Sequence, residues 1–358
     1  MPSLDDLFGL PPYSLDKAAK AAALTEILKR LTRLHLEACP PYRMMMNGWG
    51  LDLEKIGRYT DLPFLPVGLF KHLELKSVPE SEIFKTVTSS GTSGQAPSRI
   101  FLDKKAAAAQ QKALVKIVSS FTGAARLPML IIDSPSVIKD RLQFSARGAG
   151  ILGFSIFGTD RVYALDDDMR LDLPAIQAFL ERHRDENILL FGFTFMVWRH
   201  FYQELLKTGE RIDLSRGILI HGGGWKKLAS EAVSPREFNN ALAEVCGLPE
   251  AHDYYGMAEQ AGSIHMQCEQ GHLHASNFSD VIMRRADDFS ICAPGEKGLI
   301  QVLSVLPESY PGHSLLTEDE GVWLGEDDCP CGRQGKYFSV SGRLRDAEIR
   351  GCGDTYGF

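Results

Sequence analysis

Apolar positions first recur at helical spacing between Asp16 and Ala38, where Leu24, Ile27, Leu28, Leu31 and Leu34 share one face. Pro40 and Pro41 are expected to end that helix. From Arg126 onward, short apolar runs alternate with amphipathic stretches. Leu127–Asp133 reads as a buried strand, Pro174–Arg184 as a helix with proline in its first turn, and Asn187–Phe193 as a strand. Thr194–Lys207 reads as a helix and Gly217–His221 as a strand. Ser234-Pro235-Arg236-Glu237 supplies an N-cap, a first-turn proline and a capping-box acid for the next helix, which Cys246-Gly247 closes. This alternation predicts an α/β fold, a mostly parallel sheet flanked by helices, with ligands beyond the strand carboxyl ends. After Gly262 the runs shorten, as in Gly298–Ser304, and cysteine and histidine become frequent. The expected division is an α/β core over 1–262, a β-rich subdomain over 263–340 and a terminal segment over 341–358.

The 358 residues suffice for two domains or one large α/β unit with an appendage. With 44% hydrophobic and 24% charged residues, the chain can bury a sizeable core. The 39 Lys+Arg against 46 Asp+Glu argue against a nucleic-acid backbone as main partner. No apolar run is long enough for a membrane span, and the acidic, proline-interrupted start is not a signal peptide. Seven scattered cysteines point to a reducing compartment, the cytoplasm, rather than to a disulfide framework. Oligomeric state is not legible.

A strand over Phe84–Thr88 runs into Ser89-Ser90-Gly91-Thr92-Ser93-Gly94-Gln95-Ala96-Pro97-Ser98-Arg99, followed by a short strand, Ile100–Leu102, and a helix capped by Asp103. Glycines permit close backbone approach, and hydroxyls with free N–H groups suit a phosphate, to which Arg99 adds charge. The Gly-Lys-Ser/Thr ending of a Walker A loop is missing. The loop resembles instead the T-S-G-T-T-G-x-P-K loop of the adenylate-forming enzymes, the acyl-CoA synthetase, luciferase and peptide-synthetase adenylation superfamily. Ser98-Arg99 stands where that family has lysine.

Three further segments follow in the superfamily's order. His252-Asp253-Tyr254-Tyr255-Gly256-Met257-Ala258-Glu259 is similar to the Y-G-x-T-E motif, with Ala258 in place of threonine. The resemblance implies that Tyr255 packs on adenine beside Gly256 and that Glu259 helps bind Mg²⁺. Leu316-Thr317-Glu318-Asp319-Glu320-Gly321 is similar to T-G-D, which makes Asp319 the ribose clamp. Ser341-Gly342-Arg343-Leu344-Arg345-Asp346 resembles the hinge motif G-R-x-D, with the aspartate displaced by one position. Arg343 would then contact ATP phosphates or ribose. Between these, Gly222-Gly223-Gly224 follow a strand, where the superfamily lines its adenine and acyl pocket, and Lys226 follows.

The chain stops 15 residues after Arg343, where acyl-CoA ligases continue into a mobile C-terminal domain; that domain is expected to be absent. Leu65-Pro66-Val67-Gly68-Leu69-Phe70-Lys71, Cys329-Pro330-Cys331-Gly332-Arg333 and Arg350-Gly351-Cys352-Gly353-Asp354 together resemble the LuxE acyl-protein synthetase family over almost the whole chain. The family implies activation of a fatty acid as acyl-AMP, transfer to the enzyme's own cysteine, here Cys352, and delivery to an acceptor protein or reductase. A thiolate suits attack on a mixed anhydride, and Arg350 is placed to lower its pKa.

Cys268, His274, Cys329 and Cys331 offer three thiolates and an imidazole, a tetrahedral zinc set with no position left for water, hence structural. His265 and His272 compete for the fourth place. His274 is preferred because phenylacetate-CoA ligase-like enzymes have a similar Cys…His…Cys-x-Cys site.

The expected reaction is carboxylate plus ATP, with Mg²⁺, to acyl-AMP and pyrophosphate, then transfer to a thiol. The substrate is a small-molecule carboxylic acid. Stabilisation would be electrostatic, from Mg²⁺ near Glu259, the donors of Ser89–Gly94 and Arg343. An acyl- or aryl-CoA ligase and a non-catalytic nucleotide-binding module are the alternatives. Phe191, Phe193, Phe195, Met196 and Trp198 read as core or as an acyl tunnel.

Overall fold

The computed structural model describes residues 2–89, 97–138, 146–225 and 230–344. Its strands, in chain order, are β1 (Leu65–Pro66), β2 (Lys85–Thr88), β3 (Arg99–Leu102), β4 (Leu127–Ile132) and β5 (Gly158–Tyr163). Next come β6 (Ile188–Phe193), β7 (Gly217–Gly222), β8 (Glu250–Tyr255), β9 (His265–Gln267) and β10 (Leu273–His274). The last four are β11 (Ser279–Arg284), β12 (Lys297–Ser304), β13 (Ser314–Glu326) and β14 (Lys336–Arg343).

Two compact units emerge. One comprises residues 121–255 with the short turn 267–271, as far as the described chain reaches. Its strands run parallel in the order β8-β7-β6-β4-β5. All six residues of Ile188–Phe193 are buried, as expected of a central parallel strand covered on both faces. Helices Leu173–Arg182 and Pro235–Cys246 flank the sheet and bury Ile176, Phe179, Phe238 and Leu242 in its core. The second helix carries the capping box read from its sequence: Ser234 Oγ accepts from Glu237 N–H, the Glu237 carboxylate accepts from Ser234 N–H, and Gly247 closes the helix at φ +69°. One expectation changes in detail. Thr194–Lys207 is broken by a π-helical stretch, Val197–Tyr202, which stacks Trp198 on Tyr202 (4.5 Å) and on Phe238 (5.7 Å).

The other unit comprises residues 2–120, 256–266 and 272–344 of the described chain. Its main sheet is antiparallel, β11-β12-β13-β14-β10, with β1 added in parallel on β13. Helix Lys17–Ala38 is N-capped by Asp16 and buries Leu24, Ile27, Leu28 and Leu31 at 1% exposure or less, while Leu34 is half-buried. Burying each such side chain contributes about 1.5–3 kcal/mol. Pro40 and Pro41 do more than end this helix. They open the next one, Pro40–Gly48, where a proline needs no N–H partner.

Residues 2–120 thus group with the β-rich part, a grouping that differs from the 1–262 and 263–340 division drawn along the sequence. The cause is long-range pairing. Leu65 registers with Leu315, Asn277 N–H donates to Pro12 O at 2.6 Å, and Ser309 Oγ donates to Phe101 O at 2.8 Å. A buried charge nest ties the same parts. Asp280 meets Lys336 at 2.9 Å, Lys20 at 3.8 Å and the Tyr59 hydroxyl. Among the described residues no helix is long and apolar enough to cross a membrane.

Candidate active site

Glu259 sits in a single 3-10 turn, Ala258–Gln260, and is 2% exposed. The turn is held on every side. Tyr310 donates from its hydroxyl to Glu259 O at 2.8 Å, and Gln110 Nε2 donates to the same hydroxyl at 3.3 Å. Gln260 Nε2 donates to Val302 O (3.1 Å) and Gly312 O (2.8 Å). Gly262 has φ +87°, and a Cβ there would lie 2.4 Å from Gln110 O, so only glycine lets the turn approach. Within this rigid frame Glu259 Oε1 is buried without a hydrogen-bond partner among the described residues. A buried carboxylate oxygen left unpaired is costly unless a cation completes it. The hard oxygen donor fits Mg²⁺, as the motif resemblance implies.

Asp319 and Arg343 are register partners on antiparallel β13 and β14. Arg343 Nε lies 3.5 Å from Asp319 Oδ1, and Nη2 lies 3.4 Å from Glu318 Oε2. Thr317 Oγ1 donates to Ile300 O (2.8 Å) and accepts from Asp319 N–H (3.1 Å), which fixes the start of the acidic run. The opposing charges and accessible faces suit a ligand carrying hydroxyls and phosphates.

The hairpin of β2 and β3 presents the glycine–hydroxyl loop. Ser89 N–H donates to Ser98 O (3.2 Å), and Ser98 N–H donates to Ser89 Oγ (3.0 Å), closing the loop's base. Arg99 pairs with Glu74 at 2.9 Å. Ser90, Gly91, Thr92, Ser93 and Gly94 lie outside the described residues, as do Lys226, Asp346, Arg350 and Cys352.

In the parallel unit, Gly222 ends β7 and Tyr255 ends β8, at the carboxyl edge where such sheets bind ligands. Gly223 and Gly224 take φ +81° and +66°. A Cβ on Gly222 would meet the Tyr254 ring at 2.6 Å, and one on Gly223 the Phe193 ring at 2.6 Å. Sequence reading missed a polar group at the same edge. His221 Nδ1 is 3.0 Å from Thr194 Oγ1, whose hydroxyl donates to Gly222 O at 3.2 Å. The threonine therefore accepts, and Nδ1 carries the proton. Burial pulls His221 down to about 3 and pushes Asp253 up to about 7. Asp253 Oδ1, 3.7 Å away, also faces Nδ1. With both neighbours on one nitrogen, the described residues form no nucleophile–base–acid line here. Phe191, Phe193, Met196 and Trp198 are buried in the unit, and Phe195 is half-buried.

The four metal candidates converge. One ligand atom from each of Cys268, His274, Cys329 and Cys331 lies within 4.8 Å of all the others. Cys268 opens the turn closed by Gly271 N–H on Cys268 O (2.8 Å), and β10 brings in His274. Cys329 and Cys331 lie on the loop between β13 and β14, whose ends are clasped by Gly335 N–H on Asp327 Oδ1 at 2.7 Å. His274 Nε2 lies 3.3 Å from Cys331 Sγ. His272 Nδ1 lies 3.4 Å from Cys329 Sγ, outside the four, and His265 packs edge-on against Phe338. An S₃N donor set of this size, three of its ligands buried and Cys331 half-buried, fits zinc.

Solved structures give the fold. The open conformation of a 2-hydroxyisobutyryl-CoA ligase, in complex with its acyl-AMP and CoA, matches with a TM-score of 0.67 at 15% identity, over 93% of this chain and 71% of that one. A long-chain-fatty-acid-CoA ligase from Archaeoglobus fulgidus matches at 0.50 and 14%, over 74% and 52%. The fold is that of the adenylate-forming ligases. The sequence gives the family. The profile of the LuxE acyl-protein synthetases matches residues 3–357, and the chain belongs to that family, whose members are AMP-forming acid ligases. A long-chain-fatty-acid–luciferin-component ligase of Vibrio harveyi is 23% identical over 368 residues, 98% of this chain and 91% of that protein.

Proposed function

We propose that the protein activates a fatty acid with ATP and Mg²⁺ and moves the acyl group onto its own Cys352 for delivery to an acceptor protein or reductase. The observation that carries this reading is the buried carboxylate oxygen of Glu259, which has no hydrogen-bond partner among the described residues, within a LuxE-family chain. In the first step the acid's carboxylate attacks the α-phosphorus, the bond to the β-phosphate oxygen breaks, and pyrophosphate leaves. Mg²⁺, held by Glu259, neutralises phosphate charge when bound. Asp319 accepts the ribose hydroxyls, Tyr255 packs on adenine, and the donors of Ser89–Gly94 with Arg343 stabilise charge at phosphorus. In the second step the Cys352 thiolate attacks the acyl carbon. The carbon–oxygen bond to AMP breaks, and the thiol proton has gone to solvent.

The fatty-acid assignment is carried over from the named activity of the Vibrio harveyi relative. Cys268, His274, Cys329 and Cys331 hold a structural zinc in this reading. The test is acid-dependent exchange of pyrophosphate into ATP without CoA, combined with acyl label retained on the protein and lost in Cys352→Ser. Turnover that requires CoA and survives Cys352→Ser would replace this reading with an acyl-CoA ligase.

A further inference from the structure

Asp319 and Arg343 are assigned to the nucleotide by their motifs, yet a second carboxylate shares the guanidinium. Glu318 stands where the T-G-D pattern has glycine. Its Oε2 lies 3.4 Å from Arg343 Nη2, beside the Asp319 contact at Nε. The third acid of the run, Glu320, is engaged by Lys297 at 2.7 Å. The main chain holds this clasp in place. Leu344 N–H donates to Glu318 O at 3.0 Å.

We propose that Glu318 is a positioning residue for Arg343, keeping the guanidinium aimed when Asp319 leaves it for the ribose of bound ATP. The inference rests on the nucleotide reading above. One carboxylate cannot orient both a ribose and a guanidinium, and the second acceptor resolves the conflict. A guanidinium has five N–H donors and can serve a carboxylate and phosphate oxygens together. Contacts of 3.4 and 3.5 Å are looser than tight charge-assisted bonds, and the three side chains are 21–29% exposed.

Charge and positioning predict opposite signs. Removing an anion near a phosphate-binding arginine should, by Coulomb attraction alone, tighten ATP binding. Loss of positioning weakens it.

The test is calorimetric titration of the full chain with MgATP and with adenosine, for wild type, Glu318→Gln, Glu318→Asp, Arg343→Ala and the Gln/Ala double variant, with melting midpoints alongside. Glu318→Gln should bind ATP about three- to tenfold more weakly, where tenfold corresponds to 1.4 kcal/mol. It should bind adenosine unchanged and melt as wild type does. Glu318→Asp should recover part of the loss, and the double variant should bind no worse than Arg343→Ala. Equal or tighter ATP binding by Glu318→Gln, or an equal loss for adenosine, overturns the proposal. A wild type that binds no ATP overturns the nucleotide reading together with it.

Discussion

The Tyr310 hydroxyl donates a 2.8 Å hydrogen bond to the main-chain carbonyl of Glu259. Burial pushes the phenol far above its usual range, so it remains a donor throughout the working pH range. Tyr310→Phe leaves that carbonyl without its donor, at a cost of about 1–3 kcal/mol. The expected result is a raised Mg²⁺ requirement for pyrophosphate exchange, with exchange recovered at high Mg²⁺. Glu259→Gln should instead lose about a hundredfold in exchange at any Mg²⁺ concentration while melting normally, because the proposed Mg²⁺ ligand loses its charge. Magnesium titrations of exchange, with melting curves, check both.

Zinc removal should cost stability before it costs chemistry. Four ligand atoms within 4.8 Å of one another are the number a tetrahedral zinc takes, which would leave no open coordination position for a reacting group. The purified protein is expected to contain one zinc per chain. Cys329→Ser should lose it and melt about 10 °C lower, since the metal binds only the folded state. Residual exchange per folded molecule should stay near wild type. Elemental analysis and scanning calorimetry decide; a metal-free protein with an unchanged midpoint would contradict the assignment.

Acid should unfold the β-rich unit through two stacked histidines. His35 and His313 lie 5.0 Å apart, both buried. Thr32 donates to Leu28 O (2.8 Å), so His313 Nε2–H must donate to Thr32 Oγ1 (2.9 Å). His35 Nε2–H donates to Pro307 O (3.1 Å), leaving Nδ1 to accept from Ser77 (2.7 Å). Burial favours the neutral form of both rings. Burial lowers His35 to about 4 and His313 well below its usual value. The unfolded chain binds these protons first. Stability should be full above pH 6.5 and fall as pH drops from 6.5 toward 4, with unfolding taking up as many as about two protons. His35→Gln should melt with a shallower pH slope; an unchanged slope would contradict the account.

Much of the parallel unit was legible because its signals are local. The fully apolar run of Ile188–Phe193 and the Ser234–Glu237 capping box each declare their element within a few residues. The convergence of Cys268, His274, Cys329 and Cys331 followed from the family resemblance, which preferred His274 over His265 and His272. The attachment of residues 2–120 to the β-rich unit was not, because contacts such as Leu65 with Leu315 leave no mark in either segment. The π-helical stretch was hidden by apolar spacing that suits an α-helix as well. Pro40 looked like a terminator because a first-turn proline and a helix stop look alike when two helices abut. Glu318 was hidden in an acidic run, where only the strand register separates it from Glu320. Tyr310 gave no signal, its role depending wholly on a fold contact with Glu259.

The most direct measurement is pyrophosphate exchange into ATP across fatty, aromatic and amino acids, with Mg²⁺ and no CoA, followed by recovery of labelled acyl groups on the protein. The account predicts exchange with fatty acids, acyl label retained by the wild type, and label lost in Cys352→Ser while exchange persists. No exchange with any acid, by protein that binds ATP, would contradict it.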